Sequence, residues 1–116
     1  MKLDDDLLRE ILLRIEATPA GELLESREIE ALGHSEPSIF EHITLLEEAG
    51  YLVLHAHVRG GYTIERLTMD GHTYLSNIRE PKRWNKVKAA AGGLGLAILA
   101  KVAAEIATRQ AMDAIE

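Results

Sequence analysis

The chain contains no cysteine. Disulfides, thiol catalysis and Cys-ligated zinc are therefore excluded. It also lacks a long apolar run. The longest uncharged stretch is "AAAGGLGLAILA" at 89–100, which Lys101 closes. A membrane span needs ~20 apolar residues. The opening "MKLDDDLLRE" is acidic where a signal peptide is basic and then apolar, so a cytoplasmic protein is expected. Catalytic signatures are missing too: there is no G-x-S-x-G and no phosphate loop. "GGLGL" follows a basic helical stretch rather than a strand, so it is not a nucleotide-binding fingerprint. We expect neither an enzyme nor a cofactor.

What remains is a 116-residue chain with 47% hydrophobic and 28% charged residues, the balance of a globular domain. Its net charge of −6 is unevenly spread. Residues 1–80 carry 7 Lys/Arg against 16 Asp/Glu, a net −9; residues 81–116 carry 6 against 3, a net +3. A domain that grips nucleic acid usually shows the opposite sign.

Periodicity sets the elements. Asp4, Asp5 and Asp6 suit a helix N-terminus. Leu7, Leu8, Ile11, Leu12 and Ile15 follow at helical spacing, and Thr18-Pro19-Ala20-Gly21 ends the helix. Residues 22–25 suggest a brief strand. Ser26 is read as the cap of a second short helix reaching Leu32, with Gly33 as its stop. Ser35 caps a third helix, in which Ile39, Phe40, Ile43 and Leu46 face one way. The period then shortens: "YLVLHAHV" is a strand with Leu52, Leu54, Ala56 and Val58 on one face. Arg59-Gly60-Gly61 turns the hairpin and "YTIERL" returns. Thr68 caps a fourth helix, which Pro81 closes off. This order, with agreement at every local signal, predicts a mainly α fold with a small β-wing. It is a winged helix-turn-helix over 1–80, followed by a C-terminal apolar helix over 81–116.

Two stretches resemble known proteins. "EHITLLEEAGYL" resembles the third helix and wing entry of arsenic-repressor-like winged-helix regulators, through His42, Leu45–Leu46 and Glu48-Ala49-Gly50. "LTMDGHTYL" at 67–75 resembles the junction between wing and fourth helix. With "MKLDDDLLREILLRIE" and Trp84, the chain is similar end to end to a family of small bacterial and phage proteins catalogued as a domain of unknown function. The resemblance implies prophage association and brings no activity with it.

In a winged helix the third helix enters the major groove. Its outward candidates here are Ser35, Glu36, Ser38, Glu41, His42 and Leu45. Arg, Lys, Asn and Gln make the commoner base contacts, and none occurs between Ser35 and Gly50. Arg27, Arg59 at the wing tip and Arg66 on the return strand are the nearby cations. Two acids facing a polyanion oppose binding. The favoured reading is a non-catalytic regulatory or adaptor protein with a protein partner. A DNA-binding regulator using helix 35–49 and the wing at 59–61 is the alternative. Against both stands the bland outcome of a solvated acidic face.

Five histidines raise the question of metal. His55 and His57 are i, i+2 on a strand, with His34, His42 or His72 as a third. Without Cys or a helical His-x-x-x-His pair, ordinary strand histidines are expected instead.

The tail is expected to be one helix from Trp84 to about Ile115. Leu94, Ile98, Val102 and Ile106 form an apolar stripe, with Leu96, Leu99 and Ala103 on its flank. Lys101, Glu105 and Arg109 form a narrow polar stripe at i, i+4 spacing. Trp84 anchors the start. So broad an apolar surface predicts self-association, as a homodimer built on equivalent helices or a higher homo-oligomer. Packing against the body of the same chain is the simpler alternative. The basic residues Lys82, Arg83, Lys86 and Lys88 upstream leave a membrane-surface role for 82–100 as a third possibility.

Overall fold

A computed structural model of the chain describes residues 2–29, 33–58 and 61–115. It is mainly α-helical with a small three-stranded antiparallel sheet. Helix α1 spans Asp5–Glu16, and Asp4 caps it by accepting the Leu7 N–H at 3.0 Å. Leu7, Leu8, Ile11, Leu12 and Ile15 are all buried, as their spacing requires. Strand β1 (Leu24–Glu25) leads into a short 3-10 turn at Ser26–Glu28.

That turn corrects the expected second helix. Ser26 does not cap it: Glu25 and Glu28 form the reciprocal capping box. Ser26 is itself buried, and its Oγ accepts the Tyr62 N–H at 2.9 Å. A short hydroxyl next to a sheet can satisfy a strand donor as readily as a helix donor. Residues 30–32, the rest of the expected helix, lie outside the described residues.

Helix α2 (Glu36–Glu48) is capped by Ser35 and carries Pro37 in its first turn. Strands β2 (Leu52–Val58) and β3 (Gly61–Leu67) form the wing hairpin, and the sheet order is β1-β3-β2. Arg59 and Gly60 lie outside the described residues. The hairpin register slips twice. Val53 pairs with Arg66 and Leu54 with Ile64, leaving Glu65 extra on β3; Ala56 pairs with Thr63, leaving His55 extra on β2. Such bulges reset the alternation of faces. Hence Ile64 and Leu67, three apart, are both buried, while Leu54 and Ala56 are only half-buried.

Helix α3 (Met69–Ile78) is capped by Thr68, which accepts the Gly71 N–H. Gly71 sits against the preceding turn, where an added Cβ would lie 2.0 Å from the Tyr51 carbonyl oxygen. Arg9 of α1 donates to the Ile78 and Arg79 carbonyls at the end of α3. These are the acceptors a helix C-terminus leaves open.

The tail departs from the single helix expected. It forms α4 (Pro81–Ala91) and α5 (Leu96–Ile115), separated at Gly92–Gly95. Gly93 and Gly95 have φ of +81° and +102°, which L side chains rarely adopt, so the helix must stop there. Trp84, Val87, Ala91, Leu99 and Ala103 join the same buried cluster as α1, α2, α3 and the sheet. The segments 1–80 and 81–116 therefore share one core.

Candidate interaction surface

Helix α2 and the start of β3, at the turn end of the wing, are locked together. The Thr44 hydroxyl and Tyr62 hydroxyl are 2.8 Å apart, and the Phe40 and Tyr62 rings meet edge-on at 6.0 Å. An added Cβ at Gly61 would meet Ser26 Oγ at 2.4 Å, so the strand lies close on the 3-10 turn. What α2 presents outward is thus held rigidly relative to β3. That outer face is acidic. Glu36, Glu41, Glu47 and Glu48 are exposed, beside exposed Ser35 and half-buried Ser38 and Leu45. No Lys or Arg lies on α2.

His42 does not belong to this face. It is fully buried. Its Nε2 accepts the Asp4 backbone N–H at 2.9 Å, and its Nδ1 lies 2.7 Å from the Ser38 carbonyl. An amide can only donate and a carbonyl only accept, so the proton sits on Nδ1 and the ring is neutral in this geometry. The sequence held the signal: 39, 42, 43 and 46 are i, i+3, i+4 and i+7, the core stripe of an amphipathic helix. Residue type had suggested the outside, and position decided for the inside.

The cations expected to assist do not gather on α2. Arg27 is tied to Glu25 by a 2.6 Å ion pair. Arg66 is exposed, donates to the Leu67 carbonyl, and lines a separate cleft of about 530 Å³. Residues 18–24 form one wall of that cleft, with Glu16, Glu65 and His72 nearby. No α2 residue lines it. Arg59 lies outside the described residues.

The histidines are dispersed. His34 Nε2 lies 3.5 Å from Asp4 Oδ2, His42 is in the core, His55 occupies the strand bulge and His72 lines the cleft. The side chain of His57 is outside the description. Among the described residues no group of three or more His, Asp or Glu is placed to hold a metal ion.

The residues assigned to self-association divide. Trp84 and Leu99 are buried within the chain, which corrects their assignment to an intermolecular surface. The Trp84 indole N–H donates to Asp6 Oδ1 at 2.8 Å, and Lys88 Nζ reaches the same oxygen at 2.9 Å. Burial pushes the Asp6 carboxyl up. The hydrogen bonds from Lys88 and Trp84, with the charges of Lys88 and Arg9, outweigh it and hold the carboxyl below its usual range. Asp5 accepts the Gly93 N–H at 3.0 Å, so it pins the turn between α4 and α5. Val102 and Ile106 are half-buried against the core, whereas Leu94 and Ile98 are exposed. The reason is phase. The glycine break removes Leu94 from α5, and docking on α3 and α4 centres the buried face on Leu99 and Ala103.

Two further features bear on membranes. No helix of the described residues is long and apolar enough to cross one. The apolar face of α4 that would lie on a bilayer surface, Trp84, Val87 and Ala91, is inside the core.

These features define a mainly α domain with a small antiparallel β-wing, extended by two helices docked on its own core. The chain belongs to the family described as "Hypothetical protein (DUF2513)", whose model matches residues 2–97. The match includes the three N-terminal aspartates, α2, the wing and Trp84, and it ends at the start of α5. No curated protein and no solved structure matches the chain.

Proposed function

We propose that this is a winged-helix module of the regulatory or adaptor kind, of prophage origin, which works in the cytoplasm without catalysis. It binds another macromolecule through the outer face of α2 and the adjoining wing. The favoured partner is a protein with a basic surface. The observation that carries this reading is the charge of α2: exposed glutamates with no Lys or Arg, held rigidly against the wing. Complementary charge steers a basic protein toward such a face and repels a polyphosphate. The winged-helix assignment is supported by the sheet order β1-β3-β2 and by α2 leading directly into the hairpin. Fold alone does not choose between partners, so the surface must.

Two measurements test it. In the first, random-sequence duplex DNA is titrated with the protein at about 50 and 200 mM salt. The expected result is no saturable binding at either. Saturable binding that weakens steeply with salt, and changes when Ser38 is replaced, would install the DNA-binding regulator instead. In the second, proteins cross-linked to the wild type in its host are compared with those held by a Glu41→Lys/Glu48→Lys double variant. A partner specific to the wild type is expected. An unchanged set counts against this face.

A further inference from the structure

Helix α5 carries a second pattern, independent of α2. Its inner side is fixed by Leu99 and Ala103. On its outer side Lys101, Glu105, Arg109 and Asp113 are all exposed and follow one another at intervals of four. None of them takes part in an ion pair among the described residues. Their signs run plus, minus, plus, minus. Reversed, the row reads minus, plus, minus, plus. A copy of the helix running the other way therefore meets every charge with its opposite. A copy running parallel in register meets like with like.

The geometry points to an antiparallel pairing of α5 with α5 of a second copy of this chain, about a two-fold axis near residue 107. With the two axes inclined by about 50°, so that the slanting i, i+4 rows run alongside each other, Lys101 faces Asp113 of the second copy and Glu105 faces Arg109, each twice by symmetry. This is the self-complementarity an isologous dimer requires. The apolar residues agree. Ile98 and Ile115 are 43% and 81% exposed and come together across the axis, while Met112, 58% exposed, meets the methylene stem of Lys101. Between them α5 offers small side chains, Ala104 and Thr108 among them, that allow close approach. The paired segment, 98 to 115, is ~26 Å long at 1.5 Å per residue. One helix against one helix over that length falls below the ~800 Å² per partner of a standard interface. The dimer is consequently weak and reversible, and its register is set by the four charge pairs.

The test is sedimentation equilibrium of the full chain from about 10 µM to 1 mM, at low and high salt, a range chosen for a contact below standard size. The wild type is expected to pass from monomer to dimer, and less readily at high salt. E105R sets like charges opposed twice per dimer and is expected to weaken association about tenfold or more. The double variant E105R/R109E re-creates opposite pairs in the antiparallel register and is expected to restore association. Both positions are exposed, and far-UV circular dichroism verifies that each variant remains folded. A wild type that stays monomeric to 1 mM overturns the proposal. So does a single variant that dimerises unchanged, or a double variant that fails to recover.

Discussion

Replacing Leu99 by Ala tests whether the tail belongs to the core. Leu99 is completely buried, and Ala103, one turn on, is equally so. It packs where α5 meets α3 and α4. Fully buried Leu→Ala changes cost about 2–5 kcal/mol, larger where the surroundings cannot collapse into the gap. A value of about 3 kcal/mol is expected here, because the backbone of α5 is held on both sides. An unfolding entropy of ~2.1 cal/mol/K per residue gives ~0.24 kcal/mol/K for a chain of this length, so Tm should fall by about 12 °C. Leu94→Ala is the matched control. Leu94 is 63% exposed, and its truncation should cost under ~0.5 kcal/mol. Urea unfolding at low micromolar protein measures both, and an unchanged m-value in L99A would show that α5 stays docked. A loss below about 1 kcal/mol in L99A, or a greater loss in L94A, would refute the burial of α5 on the Leu99 side.

Three other outcomes are expected. Gly71→Ala should destabilise by about 2 kcal/mol or more despite the ~1 kcal/mol that Ala gains in a helix. The new Cβ meets a backbone carbonyl 2.0 Å away, and the urea midpoint reports it. His42→Leu keeps the volume but strands the Asp4 N–H, at a cost of about 1–3 kcal/mol; hydrogen exchange should show the Asp4 amide losing protection, and an amide still protected would contradict the assigned bond. Asp6→Asn should be less stable than the wild type at neutral pH. The folded Asp6 carboxyl titrates below its usual value, so its contribution is complete above about pH 4 and is lost as pH falls through the folded value. The two stability curves should converge in acid, and a constant gap would mean that Asp6 acts through shape alone.

The fold was largely legible, because most of it rests on period and on local capping. Leu7 through Ile15, Ile39 with Ile43 and Leu46, and Thr68 before α3 all announced themselves. What was hidden depends on contacts distant in sequence. Ser26 could cap a helix or a strand donor, and only the arrival of Tyr62 decides. The tail read as continuous helix because alanine and leucine dominate 89–100. Three glycines outweighed them once Asp5 could accept the Gly93 amide. The candidate surface was half legible: the acids of α2 were visible, while His42 was misplaced by chemistry that its spacing contradicted. Arg66 seemed near α2 in the chain's order, and the sheet sends it to another cleft.

The three opening aspartates have a consequence in time. The Asp4 amide is tied to α2, Asp6 to Trp84 seventy-eight residues away, and Asp5 to Gly93 eighty-eight away. At ~5–20 residues per second, the ribosome delivers those later partners roughly 4–18 s after the aspartates. Through that interval α1 has its apolar face ready and its far clasps missing. A nascent chain halted before α4 would leave the Asp5 and Asp6 carboxylates unengaged, so these clasps mark the arrival of α4 and the turn after it.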